Sequence, residues 1–296
     1  MFIDIHGHTT TYPELVFPGR KEPFATPEQL IAMYDEVGIT KAVLLPCVNP
    51  ECLHMVQSNE EILDVAARYP DRFIPFCNLD PRLMFNTPKA DFSPLLEHYK
   101  AKGCKGIGEV CANLWFDDPR VTNLFDHAQK CSMPVTFHVA VRDGNIYGLI
   151  DELGLPRFEK QVQAHPELVF LCHSQSFWAH MSADVTAETW GGYPKGPVVK
   201  GGRVPELMRR YPTVCGDLSA GSGHNAVSRD PAFGYEFLDE FQDQLLFGTD
   251  VCSPANRADV LVWLKNVLDA GLAEKRISQA VYDKVTHGNA ERILGL

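Results

Sequence analysis

The chain has 296 residues, 45% of them hydrophobic and 22% charged, which is ordinary for a globular protein and excludes a disordered, collagen-like or coiled-coil chain. Its formal net charge is −11 with no run of basic residues, so nucleic acid and anionic membranes are poor partners, and an anionic ligand needs a focused pocket of Arg, Lys or metal. Nine cysteines, an odd number with no CxxC pair, read as reduced thiols of a cytoplasmic protein, and neither a secretion signal nor an apolar stretch of membrane-spanning length is expected.

Short β-branched and aliphatic runs alternate with amphipathic ones along the whole chain. Strands are expected at Phe2–Ile5, Ala42–Leu45, Phe73–Phe76, Gly106–Val110, Val135–His138, Val169–Cys172, Val214–Leu218 and Leu245–Gly248. Helical patterns lie between and after them, at Pro27–Val37, Asn59–Tyr69, Phe92–Lys102, Val121–Cys131, Phe158–Ala164, Val204–Tyr211, Ala232–Phe241 and Ala258–Leu268. Tyr69-Pro70, His165-Pro166 and Tyr211-Pro212 stop helices before strands, as do Gly38 and Gly103. Eight strand–helix units imply an α/β fold, a single (β/α)8 TIM barrel over residues 1–296, with extra C-terminal helices at Glu274–Val285 and Asn289–Leu294. Two long connections, Thr9–Thr26 and Ser174–Gly202, follow strands and therefore fall on the face where such barrels place their active sites.

Chemistry gathers at the carboxyl ends of these strands. In Asp4-Ile5-His6-Gly7-His8 the two histidines are two apart on an extended chain, so they project to one side and can grip one divalent ion. Strand four ends in Glu109, strand five in His138, strand six runs into His173, and strand eight into Gly248-Thr249-Asp250. Imidazoles and carboxylates converging on a barrel mouth suit Zn2+, Mn2+, Fe2+ or Co2+, and water on such an ion becomes a nucleophile near neutral pH. Asp250 is the candidate general base, and His173 the group that donates to a leaving group or polarises a carbonyl. His54, His98, His127, His165 and His287 read as packing or surface residues, while His180 and His224 lie in carboxyl-side loops. Asp217 ends strand seven and either orients a ligand or caps a loop.

The HxH of the first strand, the single histidines of the fifth and sixth, and the Gly-Thr-Asp of the eighth resemble the amidohydrolase superfamily. The pattern, with the closing Gly288-Asn289-Ala290-Glu291-Arg292-Ile293-Leu294, is similar to the amidohydrolase-related branch that holds aminocarboxymuconate-semialdehyde decarboxylase and resorcylate decarboxylases. The resemblance covers nearly the whole chain. It implies a mononuclear ligand set of His6, His8, His138 and Asp250, with His173 as the acid/base histidine. Glu109 stands where binuclear members such as TatD-like deoxyribonucleases place a bridging carboxylate, so Glu109 is either a ligand or a group behind the ligands. One ion is preferred to two, zinc first, with manganese or iron as alternatives.

The function expected is metal-dependent hydrolysis of a small organic substrate through metal-activated water. The alternatives are non-oxidative decarboxylation of a small unsaturated or aromatic acid and, last, a catalytically silent metal-binding or sugar-binding barrel. A decarboxylase needs a cation near the leaving carboxylate, and Arg20, Arg142 and Arg229 are the candidates, with Arg20 taken as substrate-binding. Trp178, together with Phe177 and Trp190, offers flat contacts to a ring from the Ser174–Gly202 segment, which is expected to cover the barrel mouth. The alternative for that segment is a dimer contact, and the resemblance implies a homodimer.

Overall fold

The computed structural model describes residues 1–16, 20, 22–51 and 56–296; Cys52 and His54, considered above, lie outside the described residues. The strands among the described residues are β1 (Phe2–Gly7), β2 (Ile39–Leu44), β3 (Phe73–Pro75), β4 (Ile107–Val110), β5 (Val135–Ala140), β6 (Leu149–Ile150), β7 (Phe170–His173), β8 (Val214–Asp217) and β9 (Leu245–Leu246). All eight expected strands are present, and β6 is an added two-residue strand beside β5. Every strand pairing is parallel, in the orders β1-β2-β3 and β4-β5-β7-β8-β9. Cys77 N donates to Gly106 O at 3.0 Å and Gly108 N to Cys77 O at 2.8 Å, joining the two sets on one side. Ile5 N donates to Phe247 O at 3.1 Å and joins them on the other, so the strands form a ring.

Alternate residues of each strand separate into two buried clusters. Ile3, Ile5, Val43, Leu45, Ile74, Phe76, Leu171, Cys215 and Leu246 fill the ring, with Ala290 and Leu294 of the last helix packed against them. The intervening residues, among them Phe2, Ala42, Leu44, Phe73, Phe170, Val214 and Leu245, face the surrounding helices. Each fully buried Leu, Ile or Phe contributes about 1.5–3 kcal/mol over its exposed state, and these layers supply the scaffold's rigidity.

The helix at Pro27–Val37 shows how local sequence sets an outer element. Thr26 and Gln29 form a capping box, Pro27 opens the first turn, and Gly38 ends the helix at φ 78°. Leu30, Met33 and Tyr34 make the buried stripe against β1 and β2. Gly7 of β1 lies directly beneath it: a Cβ there would come within 2.6 Å of Tyr34 Oη. The C-terminal helix begins later than expected, at Gln279, and passes through a wide turn at Lys284–Gly288 into Asn289–Leu294. A helix at Ala220–Ser228 follows β8, where its Gly/Ser-rich sequence carries no amphipathic pattern.

Candidate metal centre and its cavity

Ile3 and Ile5 face the interior of the ring, and simple alternation would turn His6 and His8 away from it. The pairing of β1 with β2 slips between Asp4 and Gly7, which restores both histidines to the inner side while Gly7 faces the helix. His8 extends just past the strand. Glu109 sits within β4, His138 within β5 and His173 at the end of β7. Asp250 follows β9 with φ 59°, and its N–H donates to His6 O at 2.8 Å. Gly108, at φ 131°, lets β4 approach β5 so closely that a Cβ would lie 2.4 Å from Thr136 O, and that approach carries the neighbouring Glu109 into the ring.

His6, His8, Glu109, His173 and Asp250 come together in two overlapping groups, His6–His8–Asp250 and His6–Glu109–His173. Asp250 Oδ1 lies 3.6 Å from His6 Nε2 and 3.5 Å from His8 Nε2. Glu109 Oε2 lies 3.6 Å from His6 Nε2 and 4.0 Å from His8 Nε2. Donors held at about 2.1 Å around a tetrahedral zinc are about 3.4 Å from one another, so these spacings fit one divalent ion. His6 Nε2 is buried with no hydrogen-bond partner, a lone pair that such an ion satisfies. His8 Nδ1 donates to Leu45 O at 3.2 Å, which likewise leaves its Nε2 as an acceptor pointing inward. His138 enters differently from the ligand set that the resemblance implies. Its Nδ1 bonds Glu109 Oε1 at 3.0 Å, and it belongs to neither compact group.

Charge points the same way. Burial opposes a charge on His6, but Asp217, Glu109 and Asp250 outweigh it and lift its pKa well above the imidazole range. Burial also works against the Glu109 carboxylate, yet His138 and His6 hold its pKa well below the usual value. Burial, then the neighbouring His6, lowers the pKa of His8. Three carboxylates thus crowd a desolvated spot that demands positive charge. Five of the six residues named at the strand ends have side chains at most 8% exposed, while that of Asp250 is 31% exposed.

Above these residues lies a cavity of about 100 Å3, bordered also by Arg20, Phe24, Cys47, Cys111, Tyr147 and Cys252. The Arg20 guanidinium lies 5.4 Å from the Phe24 ring centre and donates to Cys252 Sγ at 2.9 Å. The Tyr147 and His138 rings lie 4.5 Å apart. Arg142 bonds Asn145 O, and Arg229 borders a separate cavity with Asp184 and Lys195, so neither lines this one.

Trp178 is a correction. It does not line the mouth; it is buried, 3% exposed, within the short helix Gln175–Trp178. Its ring packs so tightly on Gly216 of β8 that a Cβ there would lie 2.6 Å away, and its Nε1 donates to Asp217 O at 3.0 Å. Phe177 is fully buried, and Trp190 is buried against His180. These aromatics are core, because the segment after β7 folds back onto the barrel wall before it reaches the surface. The wall residues Phe24 and Tyr147 escape sequence reasoning, since nothing local marks them, while Cys47 and Cys111 read in the sequence only as thiols near strand ends.

A family model described as Amidohydrolase matches residues 3–296. No curated protein matches the chain. Among solved structures, a TIM-barrel protein from Bordetella bronchiseptica superposes with TM-score 0.62 at 19% identity, over 90% of this chain and 82% of its own. The 5-carboxyvanillate decarboxylase of Sphingomonas paucimobilis gives 0.62 at 17% identity, over 100% and 99%. A probable 2-pyrone-4,6-dicarboxylic acid hydrolase of Acinetobacter baumannii gives 0.52 at 15%, over 100% and 99%.

Proposed function

This chain belongs to the amidohydrolase family, and we propose that it is a divalent-metal-dependent hydrolase of a small carboxylated substrate. One observation carries the reading: His6, His8, Glu109 and Asp250 converge on one point, and of these Asp250 is the one substantially open to the cavity. These four residues would hold the ion, with His138 bonded to the second Glu109 oxygen, which favours one ion over two. Zinc suits the mixed nitrogen and oxygen donors, with manganese or iron as alternatives, and the ion supplies Lewis acidity toward water and an acyl oxygen.

Asp250 takes the proton of the attacking water at its open carboxylate. His173, whose Nε2 lies 3.8 Å from Glu109 Oε1, would take that proton on from Asp250 at Nε2 and pass it to the leaving group. Arg20 pairs with the substrate carboxylate, and Phe24 and Tyr147 wall its organic part from water.

Arg20 favours a second reading, a carboxy-lyase, because a guanidinium across the cavity from the ion site also suits a leaving carboxylate; the decarboxylase named above shares the fold. In that reaction His173 or Asp250 protonates the carbon that loses CO2. Zinc-loaded protein assayed on carboxylated esters, lactones, amides and aromatic acids separates the two. Acid release without CO2 supports hydrolysis, CO2 release supports the lyase, and metal-loaded protein inert across both panels contradicts catalysis of either kind.

A further inference from the structure

Asp217, the last residue of β8, is fully buried. Its Oδ2 accepts from His6 Nδ1 at 2.6 Å and lies 3.4 Å from His173 Nδ1, so one oxygen faces two imidazoles from β1 and β7. Those rings are 4.3 Å apart. The other oxygen, Oδ1, accepts from Ser219 N at 3.0 Å, and Ser219 Oγ lies 3.0 Å from His173 Nδ1. The main chain is anchored too, through the Trp178 indole that donates to Asp217 O. Gly248, just past β9, presses on the carboxylate, where a Cβ would come within 2.9 Å of Oδ1.

An ionised carboxylate accepts and cannot donate. His6 must therefore carry its proton on Nδ1, which leaves its Nε2 as a lone pair, and the same negative charge 3.4 Å from His173 Nδ1, with Ser219 Oγ as the nearer acceptor at 3.0 Å, favours the proton on that nitrogen too. Those Nε2 atoms are the ones turned toward Glu109, at 3.6 Å for His6 and 3.8 Å for His173.

We propose that Asp217 is a shared positioning residue, a single carboxylate that fixes the tautomer and ring orientation of His6 and His173 together. The inference rests on the reading of His6 as a metal ligand and of His173 as the proton-carrying histidine. It adds that the two roles are coupled through one oxygen, so ion affinity and proton delivery stand or fall together.

The test uses Asp217→Asn, which keeps the shape and removes the obligate acceptor. Zinc affinity is measured by competition with a chromophoric chelator, and it should fall about 10–100-fold in the variant, the usual cost of losing a carboxylate behind a ligating histidine. Long-range 1H–15N NMR of the metal-free protein, followed across alkaline pH, supplies a readout free of both ion and turnover. The parent should show His6 and His173 as Nδ1–H tautomers, and Asp217→Asn should lose that preference at both. Unchanged tautomers with zinc affinity within about threefold of the parent would overturn the proposal. The parent spectrum decides alone if the variant does not fold, since an Nε2–H tautomer at either histidine contradicts it. A parent that shows both Nδ1–H tautomers yet binds no zinc would end the metal reading and leave the positioning role standing.

Discussion

The Asp4 carboxylate clasps Thr249: Asp4 Oδ1 accepts from Thr249 N at 2.9 Å, and Oδ2 accepts from the Thr249 hydroxyl. The same Oδ1 accepts from His6 N at 2.9 Å, and Oδ2 also accepts from Tyr34 Oη at 2.8 Å. One buried carboxylate therefore fixes the residue before Asp250 to the backbone of His6. Asp250 needs such support, because its left-handed backbone (φ 59°) is costly for a residue with a side chain. The first and last strands bring His6, His8 and Asp250 to one point because Asp4 ties them there.

Asp250→Asn should keep the fold and lower kcat by about 10²-fold or more, the loss of a general base, since an amide offers oxygen to an ion but takes no proton near neutral pH. Circular dichroism and steady-state rates on the best substrate check this. Turnover within about tenfold of the parent would make Asp250 a ligand alone.

Arg20→Leu should raise KM for a carboxylated substrate by about tenfold or more, the usual weight of a charge-assisted hydrogen bond, and leave zinc content unchanged. Rates on an acid and on its uncharged ester or amide analogue check it. An equal change for both would remove Arg20 from carboxylate recognition.

Trp178→Ala should destabilise the protein by about 3–5 kcal/mol, as a large truncation within a packed core does. Urea unfolding measures it. A variant as stable as the parent would contradict the buried seat of the indole beneath Gly216.

His180 gives acid sensitivity of a defined sign. Its Nδ1 donates to Ser176 O at 2.8 Å and its Nε2 accepts from Gly154 N at 2.9 Å, so the buried neutral ring is satisfied on both sides. Burial drives its pKa from 6.5 down to about 4, against the pull of the Ser176 carbonyl. The unfolded chain therefore takes up the proton first. The stabilisation is present above about pH 6.5 and is lost as pH falls toward 4, worth about 3 kcal/mol at most. Urea unfolding of metal-free parent and His180→Gln should show a steeper loss for the parent across that window. Parallel slopes would refute it.

Much of this arrangement was legible in the sequence because apolar strands that end in His, Glu or Asp form a pattern of period and position. His6, His8, Glu109, His138, His173 and Asp250 are all singled out that way, and the structure brings all but His138 into the two compact groups. The slip of register between Asp4 and Gly7 left no local trace, since it depends on the pairing of β1 with β2. The helix Ala220–Ser228 was hidden because its glycines answer to tertiary packing: a Cβ on Gly223 would lie 2.2 Å from Leu218 O. Trp178 reads in the sequence as a substrate contact at the barrel mouth because the long segment after His173 places it there, whereas its neighbours Phe177 and Gly216 bury it. Asp217 reads in the sequence as an acid ending a strand that either orients a ligand or caps a loop. Its link to two histidines is a property of the closed ring.

Metal analysis of the purified parent beside the combined His6→Ala, His8→Ala variant tests the central claim most directly. The parent should carry about one divalent ion per chain, and the variant, stripped of two nitrogen donors, should hold less than about a tenth of that. Stoichiometric metal in the folded double variant, or a parent that takes up none when supplied with zinc, manganese or iron, would contradict the account.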